Sequence, residues 1–532
     1  GDWLLGMNAT RAYTLKYGDG KGVFSIGRVQ TPTLALIVER QKAIERFKPE
    51  TYWEVRTDYR GGWFANTKGW FTDKSQAEAF LKEIEPLELE IASVERKKAM
   101  EHPPKLFDLT LLQVECNRKF AFSADATLKI IQSLYEKKLT TYPRVDTNFL
   151  PNDIYPKVPT ILKGLKPYEA VVQPVLNGGK IRKSGKVFND KKITDHHAII
   201  PTGVFSYDMT PDEKRVFDLV ARRFIAVFYP DCEVANTTVM AVVGEHEFKA
   251  TGKQIVVPAW RVLFPTASNK QSDENVLPAY EVGERGVHHP ELQEKETQPP
   301  KYFTEADLLR AMETAGKQVE DEELRDLMKE NGIGRPSTRA GIIETLLKRR
   351  YIRKDKKRLV ATLTGIELID TIQNGLLKSA ELTGQWEKKL RMIEEGSYRV
   401  TDFMEELKVM VNEVIHEVKC ARRKAIAVET EEEKVAGKPV KEQIPLVLKC
   451  PKCGNGEIIK GRTAWGCSLY KKSCDFLIPM EIQGKKITQK QVESIVLKGK
   501  TGVLSGFKDA EGNAFSGTLR LDEFCKIVID KK

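Results

Sequence analysis

The 532-residue sequence contains no apolar run approaching the eighteen or so residues that a membrane span requires, and no signal peptide opens it. Neither a membrane partner nor a secreted setting is expected, and the chain reads as cytoplasmic. Cysteine is sparse: eight in this length make no disulfide framework, and four of them crowd into one late segment, which points to metal in a reducing compartment. An initiating methionine is missing as well. The chain begins at Gly1, inside what reads as a helix, so a fragment of a longer protein is the expectation.

What is present is enough apolar material, 41%, to bury several cores, as a chain of this length requires. Lys and Arg outnumber Asp and Glu by 86 to 75, a net charge of +11 that suits a polyanionic partner but is shared by many proteins. Thr140 to Pro151 spell TTYPRVDTNFLP. A phenol, with an ordinary pKa near about 10, becomes a nucleophile at neutral pH when positive charge or a base favours the phenolate. In an extended segment Tyr142 and Arg144 project to one face, where the guanidinium can grip the phosphate that the tyrosine attacks.

Residues 1 to 48 read as helical, with Leu34, Leu36, Ile37, Ile44 and Phe47 as the buried stripe of the second helix. Ahead of it lies SIGRVQTPT, in which Arg28 and Gln30 can reach phosphate or base edges and Thr31 with Pro32 starts a helix. Residues 51 to 98 and about 232 to 265 have the alternation of strands, with a helical insert between them, and Trp53, Trp63 and Trp70 are expected in the sheet core rather than stacked on bases. Inside the insert, ITDHHAIIPT sets an acid before adjacent histidines, an arrangement that can orient an imidazole toward a phosphate oxygen. Later, NGIGRPSTRAGIIETLLKRRYI offers a glycine turn, Pro336 near the first helical position and Ser337 with Thr338 at the cap; Arg335, Thr338 and Arg349 are expected to surround a phosphate at that helix start. A strand, a Lys-rich turn and a strand follow, like the wing of a helix-turn-helix domain.

Residues 421 to 444 read as a charged linker. Beyond it, Cys450, Cys453, Cys467 and Cys474 form a C-x2-C, a gap of thirteen and a C-x6-C, a thiolate quartet suited to tetrahedral zinc although its second knuckle is wide. The last fifty residues read as a small α+β module.

The order of these pieces resembles a type IA DNA topoisomerase, most like the bacterial topoisomerase III group, over nearly the whole chain. The resemblance is carried by DWLLGMNATRAYT, SIGRVQTPTLALIVER, FDLTLLQ with LYEKKLTTYPRVD, DHHAIIPT, GIGRPSTRAGIIE and ELTGQWEKKL. It implies that Tyr142 cleaves one DNA strand and stays joined to its 5′ phosphate while another strand passes, that resealing needs no ATP, and that Arg144 and His196 act at the same phosphate. It also implies single-strand contacts from Arg28 and Gln30, and phosphate contacts from Arg335, Thr338 and Arg349. Val145 stands where the family has a small hydroxyl residue, and Thr147 where it has Ser or Cys. Members of the family begin with a Toprim domain whose glutamate and Asp-x-Asp carboxylates hold Mg²⁺; this sequence has no Asp-x-Asp, so Mg²⁺ and a separate Toprim-containing segment are expected from outside it.

The expected fold class is multidomain α+β: the family's torus-like core without Toprim. A helical DNA-binding domain comprises 1–48 and 299–420, a β-rich arch 49–103 and 232–298, and a catalytic tyrosine domain 104–231. After the linker come a zinc-ribbon-like module, 445–480, and a C-terminal repeat-like module, 481–532. Gly27 and the arch connections are hinge candidates. The expected partner is single-stranded DNA in the bacterial nucleoid, bound by a monomer. The rival readings are a non-catalytic single-strand-binding protein and a tyrosine recombinase, whose Arg, His, Arg order ahead of a tyrosine is not found.

Overall fold

A computed structural model of the protein describes residues 1–20, 22–193, 195–264, 275–315, 332–422, 425–427, 448–461, 463–470, 472–509 and 513–531. The chain divides into two compact units, Gly1–Glu429 and Thr430–Lys532. Most of the expected linker, including the acidic run at 431–433, lies outside the described residues. No helix among the described residues is long and apolar enough to cross a membrane.

The first unit is built on a seven-stranded antiparallel sheet in the order β6-β3-β4-β5-β2-β1-β7. Its strands are β1 (Thr51–Tyr59), β2 (Gly62–Phe71), β3 (Leu89–Glu101), β4 (Cys232–Val243), β5 (His246–Val257), β6 (Arg285–Gly286) and β7 (His289–Glu296). Arg60 and Gly61, both with positive φ, close the β1–β2 hairpin, the backbone hand that matches strand twist. A Cβ on Gly62 would lie 2.0 Å from the Tyr280 hydroxyl, so only glycine fits there. One face of the sheet buries Val55, Phe64, Ile91, Val239 and Phe248 with Phe80 and Ile84 of the Lys74–Ile84 helix. The tryptophans do not join that core. Trp63 is 45% and Trp70 61% exposed on the other face, with Arg56 over the Trp63 ring at 4.0 Å and Tyr52 against Trp70 at 4.8 Å.

Between β3 and β4, the Leu109–Phe120, Ala124–Glu136 and Pro211–Ala226 helices bury one cluster that includes Leu109, Leu112, Ile131, Leu134, Phe217 and Phe224. The Pro211–Ala226 helix starts on a capping box, in which Thr210 and Glu213 satisfy each other's amides with Pro211 in the first turn. The helices outside the sheet and the insert, from Asp2–Tyr17 and Gln30–Arg46 to Val400–Cys420, share another cluster with the hairpin Ile352–Asp355 and Arg358–Ala361.

These two clusters meet through buried polar contacts. Arg339, 1% exposed, donates from Nη1 to Thr110 Oγ1 at 3.0 Å, and the Ala124 amide donates to Glu305 Oε2 at 2.8 Å. Glu305 also pairs with Lys354 at 2.5 Å.

In the second unit, a three-stranded sheet is formed by Ile458–Lys460, Ala464–Cys467 and Leu477–Pro479, with Cys467 at the end of its middle strand and the other three clustered cysteines on the segments beside it. A helix, Gln489–Lys498, ends on Gly499 with φ 72° and packs near a second sheet formed by Leu504–Lys508, Ala514–Leu521 and Ile527–Lys531. Phe476 and Ile478 share one apolar cluster with Val492, Ile495, Phe507 and Leu519, so the two modules read from the sequence have a common core.

Candidate active site and nucleic-acid contacts

Tyr142 lies in a segment that is extended but forms no regular ladder. Thr140 bridges Pro201, the Thr141 amide donates to Ile200 O at 2.9 Å, and the Leu109 amide donates to Val145 O at 3.1 Å. Threaded this way, the segment alternates. Pro143, Val145 and Thr147 are buried, Arg144 and Asp146 are exposed, and Tyr142 is half-buried. The expected common face of Tyr142 and Arg144 is not formed: Arg144 and Asp146 lie on the exposed side, whereas the chain bends at Pro143 and the Tyr142 ring packs against the apolar cluster of the insert. The period of two could have identified that aspartate from the sequence.

The Tyr142 ring sits between two others: the His196 imidazole at 4.5 Å and Tyr135 at 5.5 Å, edge-on at 80°. Among the described residues its hydroxyl makes no hydrogen bond, and the Arg144 guanidinium pairs with no carboxylate. A phenol and an exposed cation are thus left for an incoming phosphate. The acid before the histidines does not orient them: Asp195 makes no hydrogen bond to either imidazole, His197 Nδ1 lies 2.8 Å from Ala198 O, and the Tyr142 ring is what His196 rests on. The two residues that replaced the expected hydroxyl and thiol types are structural. Val145 is buried, and Thr147 Oγ1 donates to Lys192 O at 2.8 Å.

A buried carboxyl lies behind this site. Asp108 caps the Leu109–Phe120 helix by accepting from the Leu111 amide at 2.7 Å, and burial pushes its carboxyl up to about 6 against the pull of that amide and of Arg339. Both Asp108 and Arg339 escaped sequence reasoning. The signal for Arg339 was a charge on the apolar stripe of its helix, four and seven positions before Ile343 and Leu346.

The other predicted contacts lie elsewhere. Arg28 donates to both Asp2 oxygens at 2.9 and 3.2 Å and to Glu387 at 3.3 Å, lies 5.0 Å from the Trp386 ring centre, and has its side chain 11% exposed. To hold a phosphate it must exchange those carboxylates. Gln30 Nε2 is bound to Ser25 Oγ at 2.6 Å. At the Pro336–Lys348 helix the cap is Arg335, without a side-chain cap bond, and Thr338 Oγ1 instead donates to Arg335 O at 3.0 Å. That carbonyl also takes the amides of Thr338 and Arg339, and Pro336 has none, so the helix start offers an anion little more than the Ser337 amide. Arg335 and Thr338 are exposed there together. Arg349 ends the same helix, about 20 Å away at 1.5 Å per residue, and cannot share their phosphate.

In the second unit the four thiols, Cys450, Cys453, Cys467 and Cys474, lie within 4.8 Å of one another, with Cys450–Cys474 at 3.7 Å and Cys453–Cys467 at 3.6 Å. Tetrahedral zinc with Zn–S bonds of about 2.3 Å sets sulfurs about 3.8 Å apart, so the quartet fits such an ion. The Gly456 amide donates to Cys453 Sγ at 3.4 Å and draws that thiol below its ordinary range.

A family model described as DNA topoisomerase matches residues 1–405. The chain belongs to the DNA topoisomerase family. A second model, the C-terminal repeat of topoisomerase, matches residues 473–530. DNA topoisomerase 3 of Bacillus licheniformis is 35% identical over 80% of the chain and 60% of its own length, and that of Bacillus subtilis is 35% identical over 79% and 59%. The chain therefore spans about 60% of the length of these relatives. DNA topoisomerase 3 of Bacillus anthracis is 33% identical over 89% of the chain and 68% of its own length. Full-length topoisomerase I from Thermotoga maritima superposes with a TM-score of 0.58 over 91% of the chain and 75% of its own, at 22% identity, and so supports the fold alone. The type IA topoisomerase fold expected from the sequence is the one observed, with a four-cysteine cluster and a topoisomerase repeat at its C-terminal end.

Proposed function

We propose that the chain supplies the cleaving and strand-holding machinery of a type IA, topoisomerase III-like reaction. The observation that carries this reading is the unpartnered Tyr142 phenol against His196, two residues before the exposed and uncommitted Arg144. Tyr142 Oη bonds to the phosphorus of a single DNA strand and gives up its proton. The bond from phosphorus to the 3′ oxygen breaks, and that oxygen takes a proton. The reverse attack by the 3′ hydroxyl reseals the strand without ATP, because the phosphotyrosyl ester conserves the bond. Arg144 binds the phosphate, and His196 orients the phenol and faces a phosphate oxygen. Arg335 with Thr338, Arg349, Arg28 and Gln30 contact the strand at separate points along its path. The helical, arch and tyrosine segments act as domains, with the arch connections and Gly27 as hinges.

Magnesium belongs to this reaction through carboxylates, and among the described residues the four cysteines are the one group of three or more metal-ligand side chains. The residues present do not fit a magnesium site beside Tyr142, so a separate Toprim-containing segment is its proposed source. Cys450, Cys453, Cys467 and Cys474 would hold zinc, which there supplies a cross-link.

A labelled single-stranded oligonucleotide mixed with the chain and then denatured tests the nucleophile. A covalent adduct is expected, joined through the DNA 5′ phosphate and lost in Tyr142→Phe. An adduct that persists in that variant, or one of 3′ polarity, would sink the assignment. If no adduct forms but the strand still binds, the chain is the non-catalytic single-strand-binding protein instead. In a plasmid assay with Mg²⁺, the chain alone is expected not to relax supercoils; efficient relaxation would show that it needs no outside carboxylates.

A further inference from the structure

Phe149, seven residues past Tyr142, lines a cavity of about 470 Å³ whose apolar floor includes Pro103, Val187 and Val227. Five basic side chains surround it, and they fall into two groups. His102 Nδ1 and Arg182 Nη1 are both committed to Asp231, at 2.8 and 2.5 Å. Lys105, Lys186 and Lys192 have no carboxylate partner among the described residues. The Lys105 and Lys192 ammonium groups rest 6.0 and 5.0 Å from the centre of the Phe149 ring. A ring is a weak partner for an ammonium beside a phosphate, so an entering phosphate would draw both lysines away and free the ring face.

An aromatic face over an apolar floor, edged by three uncommitted ammonium groups, has the chemistry that takes a base with its phosphate. The cavity is also fastened to both strands of the candidate site. The Ala198 amide, two residues past His196, donates to Phe149 O at 3.0 Å, and Thr147 donates to Lys192 O at 2.8 Å. Seven extended residues reach at most about 25 Å, so a strand held at Tyr142 can extend to Phe149 within a few nucleotides.

We infer that this cavity binds a nucleoside monophosphate unit of single-stranded DNA, with the base on Phe149 and the phosphate on Lys105, Lys186 and Lys192. Placing that unit on the strand joined to Tyr142 rests on the function proposed above. Held there, the strand travels with the tyrosine-bearing segment when that segment swings.

The test uses the full chain carrying Tyr142→Phe, so that binding is read without cleavage. An oligothymidylate with one 5-iodouracil is irradiated and the cross-linked peptide mapped; cross-linking within residues 145–150 is expected. Phe149→Leu should weaken oligonucleotide binding about tenfold, the size of one lost base stack. Replacing Lys105, Lys186 and Lys192 together by Ala should flatten the salt dependence of binding by about 0.7 in log–log slope for each phosphate no longer neutralised. Thermal melting of each variant serves as the folding control. Unchanged affinity and slope in folded variants overturn the cavity assignment and leave the topoisomerase reading intact, whereas a parent chain that binds no oligonucleotide overturns both. Thymidine 5′-monophosphate is the second probe. If its binding is lost in these variants while oligonucleotide binding is kept, the cavity serves free nucleotide and the strand assignment fails.

Discussion

Asp108→Asn should make the first unit more stable at neutral pH and leave it nearly unchanged in acid. The buried carboxyl titrates near 6 in the folded chain and at an ordinary 3.8 when exposed. A raised folded-state pKa means that the folded chain holds the proton more tightly. Its contribution is therefore intact below the unfolded value and is lost as pH rises through the folded one. Between those limits the loss amounts to about 2.2 units, or about 3 kcal/mol at 1.36 kcal/mol per unit. About 1 kcal/mol of it has been lost by pH 4.5, and all of it by pH 7.5. Asparagine is neutral throughout and still caps the Leu111 amide, so its advantage over aspartate should grow by about 2 kcal/mol from pH 4.5 to 7.5. Urea unfolding followed by tryptophan fluorescence at the two pH values measures this as a change in midpoint at constant slope. Any fixed offset from the amide cancels in the difference. A gap between variant and parent that does not change with pH, or one that narrows as pH rises, would refute the reasoning.

Glu213 behaves in the opposite sense. Burial alone would raise its carboxyl, but Lys137, Ser133 and the Thr210 amide outweigh it and hold the group at about 2, so its contribution is present above an ordinary 4.5 and is lost as pH falls toward 2; Glu213→Gln should cost about 2 kcal/mol at pH 7 in a denaturant titration and little at pH 2. Glu305→Ala strands the buried Ala124 amide, while the half-exposed Lys354 turns to water, and should lower stability by about 1–3 kcal/mol, with hydrogen exchange rising first in the Ala124–Glu136 helix. Cys467→Ser, or a strong chelator, should release one zinc ion per chain by colorimetric assay and open the second unit to proteolysis while the first unit stays resistant. Trp63→Ala should cost less than about 1 kcal/mol in the same denaturant titration, because the exposed ring lies against the half-buried Arg56 guanidinium rather than filling the core.

The strands were legible because TYWEVRTDY and GGWFANT alternate, and β1 and β2 fall on them. Alternation identifies two faces without saying which one a helix will cover. The Lys74–Ile84 helix chose the face of Phe64 and left Trp63 and Trp70 outside. HPELQEKE has almost no apolar residue, and it becomes β7 only because β1 offers it a ladder some 240 positions away in sequence. At the site, spacing was enough to gather the four thiols. Closeness along a motif misled where a helix intervened: Arg335 and Arg349 share one sequence signature yet stand at opposite ends of thirteen helical residues. The role given to Asp195 failed for a related reason, since a neighbour in sequence is not a hydrogen-bond partner unless the backbone turns it inward.

The β3–β4 ladder runs on to its last pair, Glu101 opposite Cys232. Every residue from 102 to 231, Tyr142 included, thus enters and leaves the sheet at a single point, beside which His102 and Arg182 are pinned to Asp231. Mechanically this is a stem rather than a pair of separated supports. The same residues are also held to the helical cluster, by Arg339 on Thr110 and by Glu305 on the Ala124 amide, so the stem can bend only after those buried contacts part.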